Sequence, residues 1–216
     1  SDVCSSDLLL VRSLVEKFDL EKFGRPPLPP YILKSRKAQG QADFDPADLA
    51  SYQTTYAKTP GSVAAPTAGL HFTPELLAKL NHAFVTLHVG LGTFRPIKTA
   101  DFRDHPMHEE KYEIGPGLAE KVAAAQRVIA VGTTSARVLE SAPQLHPHTG
   151  TTSAFIYPPY QFKRVQGLLT NFHFPHSTLL LLVAAFAGPE LALRAYEHAI
   201  REKYRFYSYG DAMLIL

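Results

Sequence analysis

The stretch that most constrains this chain is Ala130–Ser141, AVGTTSARVLES. The apolar run Val128–Val131 is too short for a buried helix and reads as a buried strand, broken at Gly132. Thr134–Ser141 then restores a helical period. A strand that turns directly into a helix is the start of a βα unit, which places the helix against a sheet and the turn at the strand's carboxyl end. Around it the rhythm repeats. Ala83–Val89, Phe155–Tyr157, Arg164–Leu169 and Ala212–Leu216 read as strands. Pro116–Gln126, Thr178–Ala187 and Pro189–Tyr204 read as helices, as does the segment that Thr73 and Pro74 open and that runs through His82. This alternation predicts an α/β chain built around a parallel sheet or barrel.

The amino-terminal part differs. Leu9–Ser13 reads as the end of a strand, and Leu14–Phe23 as a helix stopped by Gly24. Arg25–Ile32, RPPLPPYI, reads as a stiff extended connector, because proline lacks an amide donor and fixes its own φ. Asp45 with Pro46 predicts a capped helix to about Ala57. Residues 1–8, SDVCSSDL, read as a foreign octet resembling translated adapter sequence, and they hold the sole cysteine, Cys4. The remainder offers no thiol chemistry. A start in mid-strand and an end inside the apolar Ala212–Leu216 strand predict that the chain is a fragment.

Composition narrows the function classes. With 22 Lys and Arg against 20 Asp and Glu, the net charge is +2 and does not announce a nucleic-acid binder. Seven basic residues against three acidic ones between Arg12 and Lys37, and the set Lys163, Arg164, Arg194, Arg201, Lys203 and Arg205, form local patches that fit RNA phosphates and solvated faces equally well. One cysteine excludes a disulfide framework and suggests a reducing compartment. The longest apolar run, Leu179–Ala187, is under half a membrane span, so no membrane association is expected.

Several strings carry candidate chemistry. GSVAAPTAGLHF brings backbone close to a ligand through small residues, Gly69 among them, and ends in His71. LHVGLGTF places His88 at a strand end, and Gly90, Gly92 and Thr93 form a weak anion cradle. In DHPMHEEKYEI, His105, His108 and Glu110 fit an acid/base set and, less well, a metal site, while the segment taken alone reads first as a plain polar loop. Thr133, Thr134 and Ser135 in the first turn of a helix, with Arg137 one turn on, suit an anion such as a carboxylate, although ordinary capping explains the hydroxyls too. Asn171 and His173 follow a strand, and Asp211 sits beside Gly210 among aromatics that suit either a core or a stacking wall. His146 and His148 read as loop residues.

Taken in order, PLPPYI, YQTTYA, GSVAAPTAGLHF, VTLHVGLGTF, DHPMHEEKYEI, VIAVGTTS, FIYPPYQF, LLTNFHFPHSTLL and YRFYSYGDAMLI resemble the S-adenosylmethionine:tRNA ribosyltransferase-isomerase family of queuosine synthesis. The resemblance implies a barrel-like α/β catalytic domain, incomplete here, over residues 25–216. It also implies that residues 9–24 are the end of an inserted antiparallel β-barrel domain, with about a third of a typical family chain lying before Leu9. The implied reaction moves the ribosyl part of S-adenosylmethionine onto 7-aminomethyl-7-deazaguanine in a tRNA anticodon and isomerises it to epoxyqueuosine, releasing adenine and methionine. S-adenosylmethionine is then a co-substrate, with no prosthetic group or metal, and the enzyme is a cytoplasmic monomer. The sulfonium acidifies the neighbouring 5′ methylene, so a base is needed, for which His71, His88, His108 and Glu110 are candidates. Asp211 or a second histidine would assist adenine departure. Thr133–Ser135 and Arg137 would hold the methionine carboxylate, and Gly69, Gly90, Gly92, Thr93, Asn171 and His173 would complete the substrate pocket. Pro159 stands where YPGYQF usually has glycine, Ala136 replaces a usually larger residue, and His176 a usually charged one. Two other classes remain open: a tRNA-binding fragment without catalysis, and a metal-dependent hydrolase using His105, His108 and Glu110.

Overall fold

Inward and outward side chains alternate along the central strand of the first sheet, and short apolar runs form the outer strands of the second. A computed structural model describes residues 28–90, 92 and 96–216. In Glu110–Ile114 (β2), Glu110, Tyr112 and Ile114 point inward while Lys111 and Glu113 face solvent. This strand is central in an antiparallel sheet, between Val85–Leu87 (β1) and His148–Thr152 (β4). The second sheet has the order β3-β5-β6, with Ile129–Val131 (β3) parallel to Gly167–Asn171 (β5) and Ala212–Ile215 (β6) antiparallel to β5. β5 is buried along almost its whole length, as a central strand must be.

The helix Gly132–Ser141 (α5) packs against β1, β3 and β5, and so joins the two sheets. Its Ala136 and Val138 are sealed in the core with Ile114, Leu168 and Leu182. Thr178–Ala187 (α6) is apolar nearly throughout. It is capped by Ser177, whose Oγ accepts the Leu180 amide at 3.1 Å, and ends at Gly188, where φ is +85°. Pro189–Arg201 (α7) follows and packs on α6. Among the described residues no single helix is long and apolar enough to cross a membrane. The remaining helices are short: Pro30–Ala38 (α1), Asp48–Ser51 (α2), Pro74–Leu77 (α3) and Leu118–Ala124 (α4), with 3₁₀ turns at Thr67–His71 and Phe102–Asp104.

The α/β class agrees with expectation. The barrel does not appear among the described residues: both sheets are open and three-stranded, and only β3 and β5 are parallel. The expected strand and helix at 9–23, the octet and the domain boundary near residue 24 lie outside the described residues. Of the expected connector, residues 25–27 lie outside the described residues, Leu28 and Pro29 are non-helical, and Pro30 takes the first position of α1, where its missing amide costs nothing. The helix expected from Asp45 to Ala57 shrinks to α2. Tyr52 leaves it to pack with Leu28 and Ile32, and Gln53 Oε1 accepts the Thr54 amide at 2.8 Å. The helix expected to reach His82 stops at Leu77, although Thr73 does cap it. Phe155–Tyr157 is no strand; its rings pack edge-on against each other and Phe102. The expected strand at 164–169 begins at Gly167, since Lys163, Arg164 and Val165 give their amides to Glu140 instead of to a sheet. His148 lies in β4 and not in a loop, its Nε2 3.1 Å from the Tyr112 hydroxyl.

Candidate functional site

β3 and β5 end side by side, and the segments leaving their carboxyl ends enclose a cavity of about 360 Å³. That size suits a small molecule or part of a cofactor-sized one. Its floor is Gly132, Thr133, Thr134 and Arg137 of α5. One wall is the Ala64–Ala68 loop, and the other is Thr170–Pro175 with Tyr207 and Ser208. Tyr31 and Tyr52 come in from the helical segment.

Gly132 makes the floor possible. Its φ of +85° turns the strand into the helix, and this left-handed backbone region disfavours any other residue. No side chain caps α5, so its first-turn amides remain as donors beside the positive end of the helix dipole. Arg137 is nearly buried and fully organised. Nη1 donates to Glu110 Oε2 at 2.6 Å, and Nε donates to the Ala154 carbonyl at 3.1 Å. Nη2 is buried without a partner. Glu110 is in turn held by the Gly90 amide at 3.0 Å on Oε1.

Asn171 is the counterpart on the β5 side. Its amide nitrogen donates to the carbonyl of Tyr207 at 2.9 Å, with those of Ser208 and Gly210 at 3.5 and 3.4 Å, which secures the 207–210 turn. Its Oδ1 is buried and unpartnered. Tyr31 fastens the same turn by accepting the Ser208 amide on its hydroxyl at 2.8 Å. Phe174 and Tyr207 stack 3.6 Å apart and nearly parallel, with Tyr31 edge-on at about 5 Å. Tyr207 does this with a φ of +72°, a strained setting for a residue with a side chain. His173 has its Nε2 2.9 Å from Thr170 Oγ1, and desolvation pushes its pKa down to about 4, so its ring is neutral at physiological pH.

Of the residues expected from sequence, Thr133, Thr134, Arg137, Asn171 and His173 line this cavity together. Ser135 is in the same turn of α5 but does not line it, and Thr93 lies outside the described residues. Gly69 is buried behind the wall, where a Cβ would strike the Tyr56 hydroxyl. None of the acid/base candidates lines the cavity. Glu110 bonds Arg137, which does line it. His88 is half-buried against Gly61, where a Cβ would come within 2.8 Å of its Nδ1. His108 is exposed with its ring against Gly92, and His105 packs edge-on to Phe155, where desolvation and then the charge of His108 lower its pKa. His71 is exposed. Asp211 pairs with Arg205 at 2.8 Å, and this bond holds its carboxyl below the usual range. His105, His108 and Glu110 do not form a metal set: both Glu110 oxygens are taken by hydrogen bonds, and among the described residues no three such side chains converge. Sequence reasoning misses Tyr31, Tyr52 and Phe174 as site residues. Their signal lies in the PLPPYI, YQTTYA and NFHFPHS strings, but only the fold brings those distant segments together.

These features define a small-molecule site at the carboxyl ends of two parallel strands, with an anion-seeking floor beneath an aromatic wall. The chain belongs to the queuosine biosynthesis protein family, whose sequence profile matches residues 5–215. It is 52% identical over 219 residues to an S-adenosylmethionine:tRNA ribosyltransferase-isomerase of Syntrophus aciditrophicus, covering 96% of this chain and 59% of that relative. It is 54% identical over 209 residues to the enzyme of the same name from Carboxydothermus hydrogenoformans, covering 91% and 59%. The crystal structure of an S-adenosylmethionine tRNA ribosyltransferase from Thermotoga maritima superposes with a TM-score of 0.57 at 45% identity, covering 69% of this chain and 51% of that one. The chain thus spans a little over half the length of the curated relatives it matches.

Proposed function

We propose that this chain carries the S-adenosylmethionine site of a tRNA ribosyltransferase-isomerase. The supporting observation is the cavity floor, where the uncapped start of α5 and the side chain of Arg137 lie together. In this reading the methionine carboxylate rests on Thr133, Thr134 and Arg137, where donors and helix dipole both favour an anion. The nucleoside extends along the apolar wall towards Tyr31, Phe174 and Tyr207. The 7-aminomethyl-7-deazaguanine base leaves the anticodon stack to meet it, and aromatic faces there offset the lost stacking. His173 binds as a neutral hydrogen-bonding ring, because a group titrating near 4 is a poor base at neutral pH. Glu110 positions Arg137 and does not abstract a proton. The ribosyl group moves from the sulfonium to the tRNA base, with methionine and adenine released. The protein acts in the cytoplasm as a monomer, with no prosthetic group. The barrel that the family implies would extend from the β3 or β6 edge of the second sheet.

The test is adenine release from S-adenosylmethionine, measured with tRNA that carries the precursor base and with tRNA that lacks it. Release that depends on the precursor is the expected result. No release, or release indifferent to the tRNA, refutes the proposal.

A further inference from the structure

Where the chain leaves β5 it passes beyond the reach of its sheet. The register with β3 ends at Val131 and Leu169, and that with β6 at Ala212 and Asn171, so neither flanking strand pairs with the residues that follow. The Phe172 carbonyl is taken by the Tyr207 amide at 3.1 Å. The His173 amide is answered by a side chain from another element: it donates to the Tyr196 hydroxyl at 2.8 Å. A partly buried backbone amide is costly to leave unpaired, so this bond constrains the segment.

Tyr196 comes from the middle of α7. Ala192 and Ala199, one turn before it and one turn after, are buried, so this face of the helix is turned inward. Its ring lies edge-on to Phe172 at 5.2 Å and to Phe206 at 6.0 Å. Phenylalanine would fill that space equally well, but only tyrosine also accepts an amide. Tyr196 itself does not line the cavity, whereas His173, Phe174 and Pro175, on the segment it holds, all do.

The ring of His173 is held separately. Its Nε2 lies 2.9 Å from Oγ1 of Thr170, a buried residue of β5. The imidazole is thus tied back to the strand that its own backbone has just left. A neutral imidazole carries its proton on one nitrogen or the other, and the bond made at one decides what the second can offer.

We propose that Tyr196 and Thr170 are positioning residues for His173: Tyr196 fixes its backbone from α7, Thr170 fixes its ring from β5, and together they hold the imidazole in one tautomer at the cavity wall. This rests on the proposed function only for which ligand the ring meets.

The first measurement needs no ligand. Nitrogen–proton correlation spectra of the full chain, with isotope-labelled histidine, read the tautomer of each imidazole at neutral pH. The parent is expected to show a single His173 tautomer, assigned by its disappearance in His173→Gln. Tyr196→Phe and Thr170→Val should each replace it with the averaged signal of two tautomers, and Thr170→Ser, which keeps the hydroxyl, should restore it. The exposed His71 and His108 should not change. An unchanged His173 signal in Tyr196→Phe removes Tyr196 from the role, and in Thr170→Val it removes Thr170. Equal changes at every histidine overturn the proposal, because they report a loosened fold.

The second measurement is the kinetics of adenine release. A ring that binds the ligand equally before and during reaction contributes to KM and not to kcat. Tyr196→Phe should therefore raise KM for S-adenosylmethionine about tenfold, the scale of one hydrogen bond, with kcat nearly unchanged. In a His173→Gln background the same substitution should have no further effect, since no ring is left to place. An equal effect in both backgrounds overturns the proposal. Tautomer changes as expected in a chain that releases no adenine refute the enzymatic reading alone.

Discussion

Glu140, at the far end of α5 from the cavity, offers a sharp test of what holds this helix in place. Its carboxylate is buried and accepts the amides of Arg164 and Val165 on Oε1, both at 2.9 Å. On Oε2 it accepts the Lys163 amide at 2.8 Å and lies 3.4 Å from the Tyr160 hydroxyl. Arg164 returns the contact, its guanidinium reaching the carbonyls of Leu139 and Ala142 at 2.5 and 2.7 Å at the helix carboxyl end. Glu140→Gln keeps the shape but replaces one acceptor oxygen with an amide donor. If the remaining oxygen keeps Arg164 and Val165, the Lys163 amide faces another donor and is left unpaired, at about 1–3 kcal/mol. The two surviving bonds drop from charged to neutral, losing about 1 kcal/mol each. A neutral amide is cheaper to bury than a carboxylate, which returns part of that sum. The net expectation is about 2–4 kcal/mol, a large share of the roughly 5–15 kcal/mol of a typical domain. Urea unfolding followed by circular dichroism reads it as a lower midpoint at unchanged slope. A variant within about 0.5 kcal/mol of the parent would mean that Glu140 does not bind the 163–165 backbone as described.

Two further outcomes concern pH. Asp48 is held below its ordinary value of 3.8 chiefly by the two-point contact with Arg36, both bonds at 2.6 Å. Its stabilising share is therefore full above that value and lost as pH falls through the lowered folded pKa. Asp48→Asn should be less stable at neutral pH and lose less on acidification to pH ~2; parallel acid-limb thermal melts of parent and variant would contradict this. His173 runs the other way from a partnered histidine: the unfolded chain protonates it near 6.5 and the folded chain only near 4, so stability falls as pH drops through that window. His173→Gln should flatten the fall, and an imidazole titration by nuclear magnetic resonance with a midpoint at about 6 or above would refute the burial argument.

Legibility in the sequence depends on whether the signal is local. The βα unit around Gly132, the Thr178–Ala187 helix and the helix start at Thr73 all show within a few residues, and all are present. Residues at strand ends, Thr133, Thr134, Arg137, Asn171 and His173, can be named because strand–turn–helix order alone places them at a carboxyl edge. β2 reads as a polar loop because an inward carboxylate breaks its apolar alternation. What makes Glu110 tolerable there is Arg137, distant in sequence and close in space. The histidines mislead for the same reason in reverse: His105, His108 and Glu110 are near neighbours in sequence, yet their side chains diverge, one to Phe155, one to Gly92 and one to Arg137.

Arg137 also explains why the site needs both sheets. One nitrogen of its guanidinium binds Glu110 on β2, in the antiparallel sheet, and another binds the Ala154 carbonyl just beyond β4 of that sheet. The third is buried without a partner, while Arg137 itself lines the cavity at the ends of β3 and β5, in the other sheet. A ligand bound against Arg137 in that cavity would add to a bridge already made on two sides. Its binding must therefore favour the arrangement in which the sheets are docked through α5, by about 2.7 kcal/mol at a hundredfold excess over its dissociation constant. Lengthening the contact at either fixed end would move the guanidinium and so reshape the cavity floor. Glu110 and Ala154 would thus influence binding without touching what is bound, and a loss of affinity on changing Glu110 would be evidence for positioning before it is evidence for a catalytic base.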